Sequence, residues 1–182
     1  MALIESLPLP LGAEMPAFTL ADSFGKTHDS RTLAGPKGLL VAFTCNHCPY
    51  AIAVWPRLVA LAAKAAPLGV NTAAVNPNIH PGYPDDAPER MKEKVLDWKI
   101  PFPYLVDADQ ATAKAYKAQC TPDLYLLAGG GRLAYHGRLD DNWQEPAKVK
   151  KEELWEAVQA LAAGRAAPTD QRPSMGCSIK WR

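Results

Sequence analysis

The sequence predicts an α/β fold built on one central mixed sheet flanked by helices. Three observations predict it. Strand-like and helix-like segments alternate along most of the chain. The stretch GLLVAFT, residues 38–44, is a continuous apolar run, as expected for a strand covered on both faces. Near the end, Gly129-Gly130-Gly131 joins DLYLLA to RLAYHG, a hairpin that adds antiparallel strands at one side of a parallel centre.

The elements follow in chain order. Residues 1–16 read as an extended, Pro-rich lead-in. AFTLADSFGKTHD reads as two short strands around a turn at Ser23-Phe24-Gly25, with Gly25 supplying the positive φ. The 38–44 strand runs into Cys45. From Cys48 the pattern turns helical, with Ile52, Trp55, Val59 and Ala62 at helical spacing. Pro49 fits a first turn, and Pro56 is expected to kink the helix. GVNTAAVNP (69–77) is a strand and NIHPGYPDDAP a loop. Residues 89–100 form an amphipathic helix, 102–107 a strand, and 109–118 a helix opened by Asp109. After the hairpin, 150–164 is a helix carrying Leu154, Trp155, Val158, Leu161 and Ala162 on one face and ended by Gly164. The resulting division is a lead-in over 1–13, one domain over 14–164, and a tail over 165–182.

Composition narrows the function. The chain has 182 residues, 48% hydrophobic and 21% charged, which suits one soluble domain with a full core. Its net charge of +1 asks for neither nucleic acid nor an anionic membrane as a partner. Arg165, Arg172, Lys180 and Arg182, set against Asp170, read as a solvated tail. No stretch is expected to reach the ~20 apolar residues of a membrane span. The N-terminus lacks the basic and apolar regions of a secretory signal; taken as the native start, it leads us to expect a cytoplasmic protein. A CxxC in that compartment points to redox or metal chemistry before a static disulfide.

The segment FTCNHCPY carries that CxxC as Cys45 and Cys48, enclosing Asn46 and His47. Thiol–disulfide exchange needs a thiolate, and a helix N-terminus stabilises one. With a helix starting near Asn46, Cys45 sits at the positive end as the attacking nucleophile. Cys48 lies one turn later, shielded, and resolves the mixed disulfide. A His47 imidazolium favours the thiolate and raises the reduction potential above that of thioredoxin, about −270 mV.

The order of strand, CxxC at a helix start, later Thr-Pro, hairpin and terminal helix resembles the thioredoxin fold. The front segment FTLADSFGK…LLVAF resembles the alkyl hydroperoxide reductase/thiol-specific antioxidant (redoxin) and TlpA-like branch. CNHCPY, YHGRLDDN and GCSIKW resemble bacterial thioredoxin-family proteins described as thiol-disulfide isomerases. The resemblance covers residues 14–182. It implies that Pro122 is a cis-proline packed against the CxxC, which exposes the Thr121 backbone to an extended substrate peptide. Asn46, Thr121 and Pro122 thereby become supporting residues. Two departures stand out. Thr44 replaces the tryptophan that usually precedes the first cysteine, and LLVAFT has no carboxylate to take the proton from Cys48. Glu89, Asp140 and Asp141 are the loop acids that could substitute. The loop 77–88 is the place for specificity by analogy of fold.

Cys120 and Cys177 are either additional redox thiols or inert ones, with Cys177 able to resolve, to cap the site or to pair with Cys120. His28, His80 and His136 read as surface or hairpin residues, and Trp55, Trp98, Trp143 and Trp155 as packing. The leading expectation is a thiol–disulfide oxidoreductase acting on protein or small-molecule disulfides, fed by an unidentified upstream reductase and needing no cofactor. A peroxiredoxin-like peroxidase is the alternative, although the Pro-x-x-x-Thr-x-x-Cys arrangement is missing here. A zinc site of Cys45, Cys48, Cys120 and Cys177, or a copper site of Cys45, Cys48 and a histidine, comes next. A redox-inactive binding protein is the last.

Overall fold

The computed structural model describes residues 3–182; Met1 and Ala2, the start of the expected lead-in, lie outside the described residues. A five-stranded sheet forms the centre. Its strands are β4 (Gly38–Phe43), β5 (Val70–Asn76), β6 (Tyr104–Val106), β8 (Asp123–Ala128) and β9 (Arg132–Gly137), in the order β6-β5-β4-β8-β9. β4, β5 and β6 are parallel, and β8 and β9 run antiparallel on the other side, as the sequence pattern predicts.

β4 is buried over its whole length, and the two-residue period of a strand divides it between two cores. Leu40 and Ala42 face one layer, with Trp55 and Leu58 of helix α2 (Pro49–Ala65), Met91 of α3 (Pro88–Asp97), and Leu154 and Val158 of α5 (Glu153–Ala162). Leu39, Val41 and Phe43 face the other, with Ala113 and Tyr116 of α4 (Ala111–Tyr116) and with Met15 and Phe18. The front hairpin is present as β2 (Thr19–Ala21) and β3 (Thr27–Asp29), with Gly25 at φ +86°. A short α1 (Ser30–Leu33), capped by Asp29, follows it; the sequence pattern did not show it.

Helix α2 differs from expectation in three ways. It begins at Pro49, with Cys48 as its N-cap, and not near Asn46. It continues through Pro56 to Ala65. Its buried face is Ala51, Val54, Trp55, Leu58, Leu61, Ala62 and Ala65; of the expected stripe Trp55 and Ala62 are buried and Val59 half-buried, whereas Ile52 is exposed. With its following turn it spans Pro49–Leu68, 20 residues at mean hydropathy 1.4. By length and composition alone that is enough for a membrane span, contrary to the sequence expectation. Here the stripe packs on the sheet.

The two chain ends also differ. Leu3–Glu5 (β1) lies within the lead-in, and Met175–Ser178 (β10) within the solvated tail. With β7 (Cys120–Thr121) they form a second sheet, ordered β1-β10-β7 and antiparallel throughout. Neither end shows a strand pattern in sequence. Their strand character comes from distant partners, Leu3 opposite Cys177 and Cys177 opposite Thr121.

Candidate active site: a buried dithiol under a C-terminal strand

Cys45 and Cys48 lie in the loop between β4 and α2, at the edge where the central sheet meets β7. Both are fully buried, and with Ala51 and Cys177 they form a small cluster of their own. None of the four cysteines is in a disulfide. The Thr121–Pro122 bond is cis, as the resemblance implies. Thr121 touches both sulfurs. Its Oγ1 is 3.2 Å from Cys45 Sγ, and its carbonyl lies 3.1 Å from Cys48 Sγ, from which it accepts a hydrogen bond while Cys48 is protonated. Trp55 Nε1 donates to the Cys45 carbonyl at 3.3 Å.

The charge distribution corrects the sequence reading. Because α2 starts at Pro49, its positive end faces Cys48 and not Cys45. The Cys48 thiol is held down at about 5. The Cys45 thiol, donating to it, is the main cause; burial opposes, and the Cys177 thiol and the Ala51 and Cys177 amides add to the lowering. The Cys45 thiol is pushed well above its ordinary value by burial first, then by its bond to Cys48 and by the Asp86 carboxylate. The two thiols are thus pushed in opposite directions, Cys48 toward the thiolate and Cys45 toward the protonated form.

Asp86 is the acid that the sequence reading missed. It sits fully buried at the end of a short 3₁₀ turn, Pro84–Asp86, inside the loop 77–88. Its Oδ1 accepts from the Asn46 amide at 2.6 Å and from Asn76 Nδ2 at 3.1 Å, and its Oδ2 pairs with His47 Nδ1. The expected substitutes are engaged elsewhere. Asp140 pairs with Arg57 of α2, Asp141 accepts from the Lys150 amide at 2.9 Å, and Glu89 is exposed. The only signal for Asp86 in the sequence was a pair of acids between prolines, YPDDAP, and nothing local tells which one turns inward.

Asn46 is fully committed. Its amide binds Asp86, its Nδ2 donates to the Asp85 carbonyl at 2.8 Å, and its Oδ1 accepts from the Tyr104 hydroxyl at 3.1 Å. His47 stacks on Tyr83 at 4.7 Å and gives Nδ1 to Asp86, and its buried Nε2 has no partner among the described residues. Its expected effect on Cys45 is therefore countered by the carboxylate it pairs with. Lys94 of α3 is half-buried over the Trp98 ring; burial lowers it, and the Asp86 and Asp85 carboxylates oppose this.

The remaining candidates divide. Cys177 is 2% exposed and lies against Cys48. Cys120 donates from Sγ to the Pro122 carbonyl at 3.4 Å, and burial pushes its thiol up. It stands next to the site without joining the sulfur cluster. The four cysteines do not come together as a metal set. Instead Cys45, His47 and Asp86 place one donor atom each within 4.8 Å of one another, a spacing that an ion could bridge. His136, expected at the surface, is buried and bonded to Asp123 at 2.8 Å. Trp55 is core, and Trp143 packs on Tyr50 at 4.1 Å beside the dithiol.

The family model for AhpC/TSA matches residues 11–136, more than half of the chain and including the whole CxxC loop. The chain belongs to the AhpC/TSA family. Among solved structures, this AhpC/TSA chain is similar to an uncharacterized conserved protein from Geobacillus kaustophilus, at 40% identity over 100% of this chain and 97% of that one, with a TM-score of 0.94. It is also similar to a hypothetical protein from Sinorhizobium meliloti 1021, at 36% identity over 98% of each chain, with a TM-score of 0.91. A secreted disulfide oxidoreductase from Mycobacterium tuberculosis shares the fold at 22% identity, covering 79% of this chain and 95% of that one, with a TM-score of 0.59. A peroxidoxin from the same organism shares it at 14% identity, covering 86% and 98%, with a TM-score of 0.61. No curated protein matches the chain. The AhpC/TSA chain is thus a thioredoxin-like redoxin.

Proposed function

We propose that the protein is a thiol–disulfide oxidoreductase in which Cys45 and Cys48 cycle between dithiol and disulfide. One observation carries the reading: the two sulfurs lie buried in one cluster, and Thr121 contacts both of them. Two thiols so placed lose two electrons together and close a disulfide with little movement. Cys48, the more acidic of the two, supplies the thiolate that closes the ring on Cys45. Cys45 is the sulfur that engages the outside disulfide. It reacts once its proton has left, and Asp86 is the carboxylate nearest to receive it, with His47 bonded behind. The substrates are protein or small-molecule disulfides, the electrons come from an upstream reductase, and the setting is cytoplasmic.

The experiment is a redox titration. The protein is equilibrated in a ladder of thiol/disulfide buffers, alkylated, and its free thiols counted by mass. The expected result is a single two-electron transition that disappears in Cys45→Ser. Its midpoint is expected above the value of about −270 mV typical of thioredoxin. If no Cys45–Cys48 disulfide forms anywhere on the ladder, the proposal fails.

A second reading rests on the Cys45, His47 and Asp86 cluster, whose donor set suits a borderline metal ion. Protein purified without chelator is expected to carry less than stoichiometric metal; a full equivalent, lost in Asp86→Asn, would replace the dithiol reading with this one.

A further inference from the structure

Cys45 and Cys48 suffice for a dithiol cycle, yet a strand of the same chain lies over them. β10 runs antiparallel to β7, with Cys177 opposite Thr121 and Ser178 opposite Cys120. The Ile179 amide extends the ladder to the Gln119 carbonyl at 3.0 Å. Thr121 is the residue that contacts both sulfurs. β10 therefore fills the backbone edge that an extended peptide would use to reach them by strand addition.

The fit is specific. Residue 176 is glycine, and a Cβ there would collide with the Thr121 carbonyl. The next residue is Cys177, buried in one cluster with Cys45 and Cys48. The strand is pinned at both ends. Before it, the Ser174 amide donates to Ser6 Oγ at 2.9 Å, and Ser174 Oγ to the Gly137 carbonyl at 2.6 Å. After it, the Lys180 amide donates to Asn78 Oδ1 and the Arg182 amide to Gln110 Oε1, each at 2.9 Å.

We infer that β10 is an internal substrate: Cys177 is a third redox thiol that takes over the Cys45–Cys48 disulfide by exchange, while its strand holds the peptide edge against outside disulfides. The inference rests on the dithiol reading above. The Cys177 thiolate attacks Sγ of Cys48. The Cys48–Cys177 bond forms as the Cys45–Cys48 bond breaks, and the electron pair leaves on Cys45. Cys45 then takes up a proton to replace the one Cys177 released. One disulfide is exchanged for another, so no oxidant or reductant is consumed. Cys48 is the target because Cys177 lies against it, whereas Cys120 turns its sulfur to the Pro122 carbonyl.

The resting thiols explain why the exchange waits for oxidation. Cys177 is pushed up to about 12 by burial and then by the hydrogen bond and negative charge of Cys48, with Lys180 opposing. Once Cys48 is tied in a disulfide it has no charge, and those last two causes vanish. Cys177 becomes more acidic when there is a disulfide to attack.

The test is a disulfide map of the full chain, oxidised in glutathione buffers, quenched with acid, alkylated and digested without reduction. A Cys48–Cys177 cross-linked peptide is expected beside the Cys45–Cys48 product, and Cys177→Ser should lose only the first. Gly176→Ala keeps the thiol but crowds the Thr121 carbonyl. It is expected to lower the Cys48–Cys177 yield and to speed alkylation of Cys45 by iodoacetamide. A Cys45–Cys48 disulfide with Cys177 alkylatable throughout overturns this inference and leaves the dithiol function standing. Equal alkylation rates in Gly176→Ala and the natural protein overturn the role of the strand. No disulfide at all overturns both this inference and the proposed function.

Discussion

Two aspartate–histidine pairs are buried in this molecule, and they have different surroundings. Asp86 pairs with His47, and Asp123 pairs with His136 at 2.8 Å. Both carboxylates are fully buried, and both imidazoles stack on a tyrosine, His47 on Tyr83 at 4.7 Å and His136 on Tyr125 at 4.1 Å. Around Asp123 the bonds close on themselves: Oδ2 accepts from the Tyr125 hydroxyl at 3.1 Å and from the Gln119 amide at 3.3 Å. Around Asp86 they do not. His47 leaves Nε2 without a partner among the described residues, and the carboxylate acts on Cys45. A buried polar network that is fully satisfied rigidifies, whereas one with an open end next to a thiol can move a proton. The same residue types thus serve as a brace under β8 and as part of the candidate site at the dithiol.

The largest effects that test this contrast are at the neighbouring sulfurs. Cys45→Ser is expected to abolish turnover of a model disulfide, and Cys120→Ser, beside Asp123, to leave most of it, because that sulfur lies outside the cluster of Cys45, Cys48 and Cys177. A Cys120→Ser enzyme as inactive as Cys45→Ser would break the comparison. Next come the acids. Each Asp→Asn change weakens charge-assisted hydrogen bonds and is expected to cost about 2 kcal/mol in denaturant unfolding. Only Asp86→Asn should also shift the alkylation profile of Cys45 to lower pH, because only it removes a charge that raises that thiol. An equal shift in Asp123→Asn would erase the distinction.

A smaller effect is the pH dependence of the dithiol form. Cys48 is lowered on folding, from an ordinary value of about 8.5. Its stabilisation is complete above that unfolded value and is lost as pH falls through about 5. Cys45 is raised, so it acts in the opposite sense and removes stability as pH climbs past the ordinary thiol range. Under reducing conditions, resistance to denaturant should therefore rise from pH 5 toward neutrality, and Cys48→Ser should flatten that rise. An unflattened rise would place the negative charge elsewhere. The smallest effect is expected at the imidazoles: His47→Gln should slow exchange with little loss of stability, and His136→Gln should do the reverse. Kinetics and unfolding measured on both variants decide it.

Much of the framework could be read from the chain. The continuous apolar run of β4, the helical spacing after Cys48 and the Gly129–Gly131 turn led to the right sheet, because each depends on neighbours within a few residues. The CxxC was found for the same reason, whereas Asn46, Thr121 and Pro122 came from the resemblance to the thioredoxin fold. Asp86 was not found, since both acids of YPDDAP look alike until the loop folds back on Asn46. The sequence offered two helix starts, from Cys48 and near Asn46, because Pro49 is compatible with the first turn of either register. The structure has the later one, Pro49 with Cys48 as N-cap, so the helix N-terminus lies at Cys48.

By itself, then, the sequence determined the layers of the fold and the presence of a paired thiol between a strand and a helix, since periodicity and spacing are local properties. Only the tertiary structure decided which sulfur is made the more acidic, which acid faces the pair and what covers it. Those depend on a helix boundary set by packing, on a loop forty residues along the chain that brings Asp86 to Asn46, and on a C-terminal strand that exists only because β1 and β7 lie on either side of it.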